Sequence, residues 1–143
     1  NFDYARRDNF PHEEVTDYEI DPKGLYNLLK EISEDTDYMP IMITENGNCS
    51  KDVIDEKGEI HDKGRIYYLD VHLKSIMDAV KDGVNLFGYM CWSFMDNFEW
   101  NMGYLSRFGL FYTNYETQER IPKDSAKWYS EFIKKHKHQE SIN

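Results

Sequence analysis

Pro40-Ile41-Met42-Ile43-Thr44, followed at once by Glu45-Asn46-Gly47, is the stretch that decides the fold. The first five residues are almost wholly apolar, and they are too few for a helix. They do not alternate with polar residues, so they predict a strand buried on both faces, as in a parallel sheet. Glu45-Asn46-Gly47 is polar and turn-forming and ends the strand. Leu86 to Phe94 repeats the pattern: a second apolar run, leading into the polar and aromatic loop Met95 to Leu105.

Helices are predicted on either side of these strands. Asp21-Pro22 is a helix start, with Asp21 as N-cap and Pro22 in the first helical position. Leu25, Leu28, Leu29 and Ile32 continue it at helical spacing to about Ser33. Gly64 to Lys81 predicts a second helix with Ile66, Leu69, Leu73, Ile76 and Val80 on one stripe, closed by Gly83. Phe108 to Tyr112 and the segment near Arg120 predict a hairpin across Asn114 to Glu116. Asp124 to His136 predicts a last helix that buries Trp128, Phe132 and Ile133. Residues 1–20 are polar and aromatic and read as a long irregular segment. The order helix, strand, helix, strand, helix means parallel βα units, with ligands bound at the carboxyl ends of the strands. Two parallel strands leave two open edges, so the pattern itself calls for more strands.

Composition narrows the function. The 143 residues carry 27 acidic and 17 basic side chains, a formal charge of −10, which disfavours nucleic acid and anionic membrane surfaces as partners. No apolar run reaches the ~20 residues that span a bilayer. Cys49 and Cys91 show no metal-ligand spacing; free thiols in a reducing, cytoplasmic setting are the expectation, with one disulfide and a secreted protein as the alternatives. No metal and no cofactor is called for. Asn48-Cys49-Ser50 matches a glycosylation sequon, a triplet common by chance.

The chemistry gathers after the two strands. Glu45 stands directly behind the first. Trp92 to Trp100 packs two Trp, two Phe and two acids into nine residues behind the second. Carboxylates beside aromatic rings suit a carbohydrate: rings stack on sugar C–H faces, and carboxylates accept hydrogen bonds from hydroxyls. Asp96 and Asn97 read as loop-holding residues, because Asx side chains fix turns. Arg65, Tyr68 and His72 lie at helical spacing and read as packing.

A series of blocks then runs in order over about three quarters of the chain. They are Ile43 to Gly47; Arg65, Tyr68, Leu69, His72 and Leu73; Gly88, Tyr89, Trp92, Ser93, and Asp96 to Trp100; Gly103 and Tyr104; Arg107 to Leu110; and Arg120, Pro122, Lys123, Ser125, Trp128 and Tyr129. The ordered set resembles glycoside hydrolase family 1, the β-glucosidases, β-galactosidases and 6-phospho-β-glycosidases. The resemblance implies an α/β fold: the C-terminal part of a (β/α)8 TIM barrel, strands seven and eight, incomplete in this chain, with residues 1–143 one fragment of a single barrel domain. It implies a retaining mechanism with Glu45 as nucleophile. It also implies Trp92 as the floor under the sugar, Glu99 accepting from the 4- and 6-hydroxyls, Trp100 donating to the 3-hydroxyl, and Phe108 lining the same pocket. The expected substrate is a β-glucoside or cello-oligosaccharide, as in cellulose degradation. Phosphosugar members of the family carry a Ser and a Lys for phosphate in this loop. Here Glu99 stands in the loop, and no Lys lies between Lys81 and Lys123.

The family's Asn-Glu-Pro acid/base segment does not occur in this sequence, nor do the early-strand residues that bind the 2- and 3-hydroxyls. The expected partner is therefore the remainder of the barrel, on the same or another chain, and the chain alone is expected to be inactive. Two other classes stay open: a non-catalytic sugar-binding module, and a piece that completes a split barrel.

Overall fold

The structure, a computed structural model, describes residues 11–13 and 15–137. Three helices, α1 (Pro22–Asp35), α2 (Lys63–Lys81) and α3 (Asp124–His136), accompany four strands: β1 (Ile41–Asn46), β2 (Leu86–Cys91), β3 (Phe111–Thr113) and β4 (Arg120–Pro122). β1 and β2 pair in parallel, and β3 and β4 form the expected antiparallel hairpin. The result is a partial α/β barrel fold: two βα units in sequence, with no closed barrel among the described residues.

Local chemistry accounts for the elements. The Asp21 carboxylate accepts the Gly24 backbone N–H at 2.8 Å, which caps α1, and Pro22 opens it. Leu29 of α1 packs with Leu69, Leu73, Ile76 and Ala79 of α2, and Ile41, Ile43, Leu86, Tyr89 and Cys91 of the sheet close over them. That core fixes the direction in which both strands run, and so where their carboxyl ends lie.

Several expectations are corrected. The strands are not buried on both faces. One side meets the helices, while Phe87 on β2 is 67% exposed and Met90 is exposed as well. A two-stranded sheet covered from one side leaves such residues open. β1 extends to Asn46, so Glu45 is the penultimate residue of the strand rather than the first after it. β2 stops at Cys91, because Ser93 turns away and donates its N–H to Phe108 O at 3.1 Å. The buried stripe of α2 is rotated from the expected one. Leu69, Leu73 and Ile76 are in it, Val80 is exposed, and Arg65, Tyr68, His72 and Ala79 are buried instead. On α1 Leu28 and Ile32 are exposed, and on α3 Ile133 is exposed while Trp128 and Phe132 stack at 5.4 Å. Apolar spacing located the helices but not their facing, because polar side chains with buried partners compete for the inner face.

The reading of residues 1–20 as irregular falls partly outside the described residues. Within them, Glu13 N–H donates to Tyr18 O and Ile20 N–H to Pro11 O, and His12 bridges Glu19 in antiparallel fashion. The segment from 11 to 20 is thus a folded-back loop. No helix among the described residues is long and apolar enough to cross a membrane.

Candidate active site

The carboxyl ends of β1 and β2 are stitched together by backbone. Trp92 N–H donates to Asn46 O at 2.9 Å, the next rung beyond the strands. The approach is close enough to require glycine at the following position: a Cβ on Gly47 would lie 1.6 Å from Trp92 O. Glu45 therefore leaves the sheet beside Trp92. The two side chains, with Phe108, line one open concavity of about 340 Å³, together with Glu13, Tyr18, Glu19, Asn46, Gly47 and Tyr68.

Three of the five expected site residues are thus brought together. Glu45 is exposed, Phe108 is half-buried, and Trp92 is 36% exposed. Glu99 and Trp100 are not among the residues that line this concavity. Trp100, 82% exposed, opens a short 3-10 turn (Trp100–Met102), and Glu99 precedes it. Glu99 Oε1 is buried and has no hydrogen-bond partner among the described residues. An acceptor buried without a donor costs free energy until a donor arrives, which suits a ligand hydroxyl.

Asn46, directly behind Glu45, is held on both sides of its amide. Its Nδ2 donates to Tyr68 Oη at 3.0 Å, and Tyr89 Oη donates to its Oδ1 at 3.0 Å. Burial pushes the Tyr68 hydroxyl up to about 12 and raises that of Tyr89 further, so both stay neutral. Glu13, buried in the same concavity, has its carboxyl raised above the usual range by desolvation, which hydrogen bonds from Thr16, Cys49 and Asn48 only partly offset. Tyr68 and Glu13 were missed as site residues. Tyr68 looked like helix packing, and Glu13 stood in a stretch read as irregular.

The larger omission is a buried ionic network beneath the two loops. Lys123, with no exposed surface, places its ammonium 2.5 Å from Asp52 Oδ2 and 2.8 Å from Asp96 Oδ1. Arg65 pairs with Asp52 at 3.2 Å and with Asp62, which also takes the N–H of Ser125 at 2.8 Å. Arg107 pairs with Asp96 at 2.6 Å. Three carboxylates and three cations balance. Burial depresses the Lys123 ammonium below the ordinary lysine range, with Arg65 adding to that and the two aspartates opposing it. Asp96 also accepts the Gly109 N–H at 2.9 Å and the Thr113 N–H at 3.3 Å, so it holds the loop as its residue type suggested. A Cβ on Gly109 would lie 2.1 Å from Asp96 N, so this approach too requires glycine. Opposite charges distant in sequence leave no periodic signal, which is why the network was not legible.

Elsewhere, Cys49 is buried and Cys91 partly so; both are free, and burial raises both thiols, Cys91 to about 11. Asn48 of the sequon is buried, with Oδ1 accepting from Ser50 Oγ at 2.7 Å. Asp55, Glu59 and His61 bring their donor atoms within 4.8 Å of one another. The ring of His61 already faces two carboxylates, Asp124 at 2.6 Å and Asp55 at 3.5 Å, and Lys127 approaches Glu59 at 4.0 Å. The His61 imidazole, whose pKa Asp124 and Asp55 raise, and the Lys127 ammonium already occupy these carboxylates.

Fold and site together define an α/β protein of the barrel type, with its candidate site at the carboxyl ends of parallel strands. Comparison with known proteins gives the family. The model of glycosyl hydrolase family 1 matches residues 4–138, and the chain belongs to that family. It is 49% identical over 117 residues to a 1,4-beta-D-glucan glucohydrolase of Thermotoga neapolitana, covering 82% of this chain and 26% of that protein. It is 51% identical over 117 residues to a 6-phospho-beta-galactosidase of Staphylococcus epidermidis, covering 80% and 25%. The family 1 β-glucosidase of Thermotoga maritima superposes with a TM-score of 0.88 at 44% identity, over 92% of this chain and 29% of that one; the same enzyme has been solved with isofagomine lactam. The chain spans about a quarter of the length of the curated relatives it matches.

Proposed function

We propose that this chain supplies the nucleophile half of a retaining β-glycosidase that hydrolyses terminal β-D-glucosyl residues of neutral glycosides. The observation that carries the reading is the meeting of Glu45, Trp92 and Phe108 in one concavity at the ends of parallel strands. In this mechanism the Glu45 carboxylate attacks the anomeric carbon, and the bond to the leaving oxygen breaks. That oxygen takes a proton from a second carboxyl group ~5 Å away, and water then releases the sugar from Glu45. Asn46, fixed by Tyr68 and Tyr89, holds the strand end from which Glu45 acts. Trp92 stacks under the sugar, Glu99 accepts from its 4- and 6-hydroxyls, and Trp100 donates to its 3-hydroxyl. The second carboxyl group belongs to the remainder of the barrel, which is this chain's partner. The open sheet edge and the exposed Phe87 and Met90 favour that arrangement. The two unpaired thiols favour a cytoplasmic setting.

Relatives at similar identity are named for glucoside and for phosphogalactoside hydrolysis. Glu99 favours the glucoside. Its buried, unpartnered Oε1 welcomes a hydroxyl, and the carboxylate repels a 6-phosphate in a partly dry site. The test compares an aryl β-D-glucoside with an aryl 6-phospho-β-D-galactoside on the full-length protein. The expected result is a kcat/KM at least about a hundredfold higher for the glucoside; the reverse preference refutes the argument from Glu99. The isolated 143-residue chain is expected to show no multiple turnover.

A further inference from the structure

Arg65 stands on α2, outside the concavity, and sequence spacing assigned it to packing. It is 1% exposed, and its guanidinium does more than fill space. Its Nε donates to Asn48 O at 3.2 Å, three residues beyond Glu45. Its Nη2 donates to Arg107 O at 2.7 Å, immediately before Phe108. One rigid planar group thus holds a carbonyl in each of two loops that border the concavity. Asp52 and Asp62 fix its orientation: Asp52 accepts from both terminal nitrogens at 3.2 Å, and Asp62 accepts from Nη1. Burial disfavours the charge, and the two carboxylates outweigh burial, so the guanidinium stays ionised.

We infer that Arg65 is a positioning residue that sets Glu45 relative to the sugar-binding wall at Phe108, by clamping the loop behind each. This rests on the assignment of Glu45 as nucleophile. A lysine at 65 keeps the charge that Asp52 and Asp62 need, but an ammonium lacks the planar fork that reaches two carbonyls at once. Position matters to attack more than to ground-state binding, because bond formation requires near-attack geometry.

The experiment uses the full-length protein and a 2-deoxy-2-fluoro-β-glucoside, which traps the glycosyl-enzyme. Arg65→Lys is expected to slow the trapping rate constant by about tenfold or more while the affinity for an uncharged competitive sugar analogue changes by less than about threefold. Leu69→Ala, in the core of the same helix, provides a control for loss of stability alone; it is expected to lower Tm and leave the trapping rate within about threefold. If Arg65→Lys does not fold, Asp52→Asn replaces it, since it leaves Arg65 in place and removes the carboxylate that orients two of its nitrogens; its trapping rate must fall further than that of Leu69→Ala. Unchanged trapping in the folded Arg65 or Asp52 variant, or equal slowing in Leu69→Ala, overturns the proposal. Label on a residue other than Glu45 in the unaltered protein is a different outcome, and refutes the nucleophile assignment itself.

Discussion

Replacing Lys123 by Met tests the network beneath the site. Met keeps most of the stem and removes the ammonium, leaving the Asp52 and Asp96 carboxylates, both fully buried, without their shared cation. Each keeps one guanidinium, Arg65 at 3.2 Å and Arg107 at 2.6 Å, so neither is wholly stranded. Removing one partner of a buried pair costs about 3–5 kcal/mol, and the remaining guanidinium contacts place the cost here near about 3 kcal/mol. Urea unfolding of the full-length protein at roughly pH 7 measures the deficit. A deficit below about 1 kcal/mol refutes the reasoning.

Gly47→Ala forces a Cβ to within 1.6 Å of Trp92 O; it is expected to separate the strand ends at a cost of about 3 kcal/mol and to abolish glycoside turnover, and an active variant with unchanged Tm contradicts the close approach. Glu99→Gln removes the charge and keeps an acceptor; kcat/KM for the glucoside is expected to fall about tenfold with Tm unchanged, and an unaltered kcat/KM removes Glu99 from the sugar site. His61, exposed beside Asp124 and Asp55, has its imidazole raised above the ordinary value, chiefly by the hydrogen bond to Asp124. The link it makes to α3 is present in full below the unfolded histidine pKa and is lost as pH rises through the folded one. Proton NMR titration is expected to show a pKa above about 6.5 that moves down in Asp124→Asn; a pKa at or below that value contradicts the pairing.

Much of the fold was legible because it rests on local chemistry. The Asp21 cap, Pro22 at the helix start, and the apolar runs of β1 and β2 each leave a short signature, and the last helix follows its sequence pattern at both ends. The ends of β1 and β2 were not legible. They depend on where Trp92 finds Asn46 O and Ser93 finds Phe108 O, contacts set by tertiary approach. In the candidate site, Glu45, Trp92 and Phe108 line one concavity. Tyr68 and the Arg65 contacts to Asp52 and Arg107 escaped, since these partners lie 13 to 42 residues away, with nothing in the sequence to join them; Glu13 stood in a stretch read as irregular. Asp96 shows the opposite case: residue type alone indicated a loop anchor, and its backbone contacts are those of one.

The central claim is that Glu45 forms the covalent bond to sugar. Digestion and mass spectrometry of the full-length protein inactivated by a 2-deoxy-2-fluoro-β-glucoside test it directly. The account predicts one fluorosugar per molecule, on the peptide containing Ile43 to Gly47 and specifically on Glu45. A stoichiometric label on any other residue, or inactivation without a covalent adduct, contradicts it.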